Sequence, residues 1–154
     1  MEFAQPQIMD FIPMSQRENF ETLMALGEEL SLKIKIERSK KGDSIKYTMK
    51  EKNRNLFSLK GNGRTLEIKP ALWHLDAYRD TVEQQGDSIK SVIVQARACK
   101  NCSDRCGGGA RFTLDGTEHY KCLFSGFTYA NPAEEDVETL CQLITMEHDG
   151  RRKT

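Results

Sequence analysis

The sequence predicts an α+β protein: a four-stranded antiparallel meander covered by helices, with a C-terminal lobe made of a metal knuckle, a β-hairpin and a helix. Three observations lead there. Residues 30–70 contain four runs in which apolar and polar side chains alternate, joined by short turns. Apolar residues at helical spacing flank that region on both sides. Four cysteines crowd one window as C-x2-C-x3-C-x15-C, at Cys99, Cys102, Cys106 and Cys122. With 154 residues the chain suits one domain able to bury a core. Within it, 1–70 reads as helix plus sheet, 71–146 as helices plus the cysteine lobe, and 147–154 as a polar, flexible tail.

The first element follows Ser15, which stands three residues before Glu18 as in a capping box, with Phe20, Leu23 and Met24 at helical spacing and Gly27 as a stop. From Leu30 the period changes to two. Leu30, Leu32, Ile34 and Ile36 alternate with Ser31, Lys33, Lys35 and Glu37 in a first strand. After the turn at 40–43, Ile45, Tyr47 and Met49 alternate with Lys46, Thr48 and Lys50. Phe57 and Leu59 mark a third strand, Gly61-Asn62-Gly63 a tight turn, and Leu66 and Ile68 the inward side of a fourth. Short turns require antiparallel neighbours, because parallel strands need long crossovers. The N-terminal helix is the natural cover for the apolar face.

Beyond Pro70, a short helix falls within Trp73–Gln84. A longer one runs from Asp87 to about Ala98, with Ile89, Val92, Ile93 and Ala96 on one stripe. Arg111–Leu114 and Glu118–Cys122 flank Asp115-Gly116, a strong hairpin signal. Asn131-Pro132 opens the last helix, whose first turn carries Glu134, Glu135 and Asp136, where acids suit the helix dipole. Val137, Leu140, Cys141 and Ile144 form its buried stripe, which makes Cys141 a packing residue.

The charges balance, 23 Lys plus Arg against 23 Asp plus Glu. Their distribution does not: residues 1–30 carry six acids and one base, residues 31–70 twelve bases and four acids. A neutral total therefore leaves room for a basic face. No run approaches the roughly 20 apolar residues of a membrane helix. Met1–Asp10 lacks a basic start and an apolar run, so no secretory signal is expected and the cytoplasm is the expected compartment.

In that compartment clustered thiols point to a metal rather than to disulfides. A two-residue gap lets two thiolates converge on one ion, and Cys106 can add a third from the same knuckle. Cys122 ends the second hairpin strand and supplies the fourth. His119 is the competing ligand, but three residues away on a strand it faces the other side. Zinc is preferred to an iron–sulfur cluster because Lys100, Asn101, Ser103, Asp104 and Arg105 make a polar shell. Four thiolates leave no open position for water, so the zinc is expected to be structural.

The run from the helix at Ser88–Ala98 through Cys99, Cys102 and Cys106, the Gly-rich stretch, Tyr120-Lys121-Cys122 and the helix after Pro132 resembles segments of small uncharacterised bacterial proteins with a similar cysteine block. The resemblance spans residues 86–146. It implies a recurring metal-knuckle architecture and a bacterial origin.

Catalytic signatures are missing: no nucleophile elbow, Walker loop, H-E-x-x-H or dinucleotide fingerprint is present. Gly61-Asn62-Gly63-Arg64 joins two strands and lacks the helix a phosphate loop needs. His74 reads as a packing or capping residue more readily than as a base. The expected function is accordingly a non-catalytic binding domain with a structural four-cysteine zinc site. An alternative is a nucleic-acid-binding module using Lys33, Lys35, Lys46, Lys50, Lys60 and Arg64 as a polyanion surface. Another is a thiol-redox or metal-sensing protein.

Overall fold

The alternation in residues 33–70 builds the sheet it predicts. The computed structural model describes residues 12–40, 42–50, 54–72, 74–84, 87–95, 109–122 and 127–152. Strands β1 (Lys33–Ser39), β2 (Gly42–Met49), β3 (Arg54–Gly61) and β4 (Leu66–Pro70) pair in sequence order, each antiparallel to the next. Register aligns Ile36, Ile45, Leu59 and Ile68 in one inward row and Tyr47 with Phe57 in the next. The Tyr47 and Phe57 rings stack nearly parallel, 4.5 Å between centroids.

The meander has a fifth strand that the sequence pattern did not reveal. After β5 (Gly109–Leu114) and β6 (Thr117–Cys122), which form a separate hairpin, β7 (Tyr129–Ala130) returns to pair with β4. Two residues are too short to show a period. Their place is secured instead by Asn131, whose φ is +47°: its side-chain oxygen accepts from the Leu66 amide at 2.9 Å and its own amide donates to the Leu66 carbonyl at 2.8 Å.

Helix α1 (Arg17–Glu29) covers the apolar face as expected, but both of its ends differ from expectation. Ser15 is not its cap: a 3-10 turn over Met14–Gln16 leads into the helix, and no side chain caps it. Gly27 is not its stop either. It lies inside the helix and is buried directly against Tyr47, where a Cβ would overlap the ring. The helix ends at Glu29, and Ser31 adopts φ +55°. The amides of Ser31 and Leu32 donate back to the carbonyls of Glu28 and Gly27, the Schellman closure that satisfies two helix-end carbonyls. The first strand consequently begins at Lys33, not Leu30.

Beyond the sheet, the stretch expected as one short helix splits into a 3-10 turn (Leu75–Tyr78) and α2 (Arg79–Glu83), followed by α3 (Asp87–Gln95). Helix α4 (Glu134–Arg152) packs on β3 and on α1 and adds Val137, Leu140, Leu143 and Ile144 to the same core. The tail expected over 147–154 is helical as far as Arg152, with Glu147 and His148 buried. Buried Gln16 and Asn19 both donate to the Pro132 carbonyl, at 3.2 and 3.0 Å, tying the entry of α1 to the entry of α4. No described helix is long and apolar enough to cross a membrane.

Three buried or half-buried groups give the fold a dependence on alkali. Burial, reinforced by Glu28, raises the Tyr47 phenol; burial and Asp136 raise that of Tyr129, which donates to the Ile89 carbonyl at 3.1 Å. Burial, Glu138 and Glu29 push the Cys141 thiol up to about 11. Each group holds its proton more firmly when folded than when unfolded, so its contribution is complete below the unfolded pKa and is lost as pH rises through the folded one. Denaturation midpoints are expected to fall from about pH 9 upward, more steeply above about pH 10, and Tyr129→Phe should flatten the slope. A midpoint that stays level through this window would contradict the assignment.

Candidate functional site

The same register that buries Ile45 and Leu59 places the basic side chains together on the opposite face. Lys35 pairs with Lys46, Lys46 with Ser58, and Ser58 with Lys69, so one cross-strand row carries three lysines. The neighbouring row runs Glu37, Ser44, Lys60, Glu67, and Lys33 lies opposite Thr48. Lys33, Lys35 and Lys69 are exposed, while Lys46 and Lys60 are half-buried. Five lysines against two glutamates leave this face positive.

Like charges directly opposite on a sheet repel. Glu37 relieves Lys35 and Lys46 together, at 3.8 and 3.1 Å. These are exposed pairs, so each contributes well under about 1 kcal/mol and neither neutralises the face. The one other side chain in the row, Ser58, is small, and Lys35 and Lys69 at its two ends are exposed. Among the described residues no aromatic ring joins them, because Tyr47 and Phe57 are buried on the other side. The arrangement can hold phosphates but offers no platform on which bases would stack.

Of the six basic residues singled out from the sequence, Lys33, Lys35, Lys46 and Lys60 share this face. Lys50 does not: it is exposed just past β2, beside Glu29 and Asp149. Arg64 is exposed in the β3–β4 turn, where the Asn62 side chain accepts from the amides of Arg64 and Thr65 at 3.0 and 2.8 Å. That geometry is a self-contained turn, as the absence of a following helix implied. Lys69 was missed, although the alternation of Leu66 and Ile68 signals its outward position.

Cys99, Cys102 and Cys106 lie outside the described residues. Cys122 ends β6, and its backbone pairs with Gly109 at the open end of the hairpin. At the closed end, Asp115 and Gly116 take φ +49° and +82°, the left-handed pair that a two-residue turn requires. His119 stacks on buried Phe112, with ring centroids 5.6 Å apart. Among the described residues no group of three or more His, Cys, Asp or Glu side chains could hold a metal. The hairpin is fastened to the preceding helices by carboxylates: Asp76 accepts from the Thr113 amide at 3.0 Å, and Glu83 from the Asp115 amide at 2.8 Å.

A second polar cluster surrounds Glu147, whose side chain is 0% exposed. Its carboxylate accepts from the His74 amide at 2.7 Å, from the His74 ring at 2.8 Å and from the Tyr78 hydroxyl at 2.9 Å. A carboxylate accepts, so this contact suits the tautomer that carries its proton on Nδ1. His74 is therefore oriented by α4 and in turn holds the 74–78 turn against that helix. No local pattern marks the partner, which is 73 positions away. Comparison with protein-family models, with curated proteins and with solved structures finds no match.

Proposed function

We propose that the protein is a non-catalytic binding domain whose lysine face holds the phosphates of a nucleic acid, with a structural zinc on Cys99, Cys102, Cys106 and Cys122 fastening the hairpin lobe. The observation that carries the binding reading is the row Lys35, Lys46, Ser58, Lys69, in which strand pairing concentrates three cations from three strands. The face would read charge and not sequence, since its described residues include no stacking ring. The zinc reading rests on the cysteine spacing and on hairpin register: Gly109, the partner of Cys122, follows Cys106 by three residues. Four thiolates close the coordination shell, so the ion would contribute folding energy and no reaction.

Anisotropy titrations with a labelled oligothymidylate and a duplex of equal length test the binding. Log affinity is expected to fall linearly with log salt, with a slope of about −3. Changing Lys35, Lys46 and Lys69 together to glutamate should abolish binding, whereas Arg64→Glu should weaken it far less. Absence of binding at low salt, or an unchanged triple variant, would refute the reading. In native mass spectra the same preparation is expected to carry one zinc per chain, lost on chelation.

A further inference from the structure

Helix α1 ends in Glu28 and Glu29 with no basic residue in its last turn. These carboxylates add to the partial negative charge that every helix carries at its C-terminus. Glu29 borders a cleft of about 390 Å³ between the end of α1, the end of β2 and the last turns of α4. The volume falls at the small end of the roughly 300–1,000 Å³ typical of ligand sites. Leu30, Leu32 and Met49 supply its apolar lining.

The cleft is also lined by charges of both signs. Lys50 lines it from just past β2 and His148 from α4, and Glu29 and Asp149 line it from α1 and α4. Among the described residues Lys50 makes no ion pair, so its ammonium is not spent on either acid. His148 is 9% exposed, a buried imidazole at the cleft whose Nδ1 lies 3.4 Å from the Asp149 carboxylate. A simple anion here would meet two carboxylates, and a simple cation would meet Lys50. A ligand carrying both charges avoids both conflicts.

We propose that this cleft binds a small zwitterion, an α-amino acid with an aliphatic side chain. Lys50, with His148 behind it, receives the carboxylate. Glu29 and the end of α1 receive the ammonium. Leu30, Leu32 and Met49 take the side chain. The inference is independent of the lysine face, which lies on the sheet surface away from the helices.

The test is a titration of the full-length protein with L-leucine, followed through the backbone amides of residues 29–32, 50 and 148–149. Those amides are expected to shift together, with saturation at millimolar ligand. N-acetyl-L-leucine, which lacks the ammonium, and L-leucine methyl ester, which lacks the carboxylate, should each bind about tenfold more weakly. Lys50→Glu and Glu29→Gln alter exposed positions, and their spectra report whether the fold is kept; each should weaken L-leucine about tenfold. No shifts up to about 10 mM ligand, equal binding of the three compounds, or unaltered affinity in a folded Lys50→Glu variant would overturn the proposal.

Discussion

Replacing Glu147 with alanine is expected to lower the stability by about 3 kcal/mol, roughly 1 kcal/mol for each described donor that loses its acceptor. The loss is large because, among the described residues alone, the carboxylate serves three donors at once: the His74 amide, the His74 ring and the Tyr78 hydroxyl. Without it, the buried Tyr78 hydroxyl and the half-buried His74 donors lose their acceptor, and α4 loses its attachment to the 74–78 turn. For a chain of this size each kcal/mol lowers the melting temperature by roughly 2–4 °C. Tyr78→Phe removes the hydroxyl bond and keeps both His74 bonds, and should cost about 1 kcal/mol. Urea denaturation at neutral pH measures both. A loss below about 1 kcal/mol for Glu147→Ala would mean that water satisfies these donors as well as the carboxylate does.

Gly27→Ala should be the second most damaging of these changes, at about 2–3 kcal/mol, although alanine in a helix is ordinarily favoured over glycine by about 1 kcal/mol. The new methyl would overlap the Tyr47 ring. That ring is held in place by its stack on Phe57, 4.5 Å away, so relief requires moving α1 off the sheet. A double-mutant cycle separates the causes. In a Tyr47→Ala background the overlap is gone, and Gly27→Ala should become neutral or stabilising. If alanine costs the same in both backgrounds, the close approach of helix and ring is not what selects glycine here.

These two sites show where sequence reasoning stopped. Gly27 is legible as an unusual residue in an amphipathic helix, and the local rule reads it as a terminator. Its cause is a ring twenty positions further on, visible only once the helix lies on the sheet. The end of α1 is set instead at Ser31 by a left-handed residue whose type does not announce it. Helix α4 extends through a polar stretch because Glu147 and His148 are buried by tertiary contacts. An acid and a histidine in a polar C-terminal run read locally as solvated tail.

The candidate site divides in the same way. Lys33, Lys35, Lys46 and Lys60 were legible because a period of two sends every second residue outward, and Lys69 obeys the same rule. Lys50 broke the pattern because the strand ends at Met49, which turns the next residue toward α1 and α4. The cysteine spacing is a property of the sequence and carries the zinc proposal from there, with the pairing of Cys122 and Gly109 as its structural support.

By itself, then, the sequence determined the α+β class, the order and antiparallel sense of the four main strands, the hairpin turn at Asp115-Gly116 and the polarity of each sheet face. All of these follow from interactions within a few residues: side-chain period, turn geometry and the shortness of the connections. Only the tertiary structure decided the fifth strand, the need for glycine at position 27, the three donors gathered on Glu147 and the mixed-charge cleft at the end of α1. Each of those joins residues remote in sequence, and a local pattern carries no information about which distant backbone or side chain will complete it.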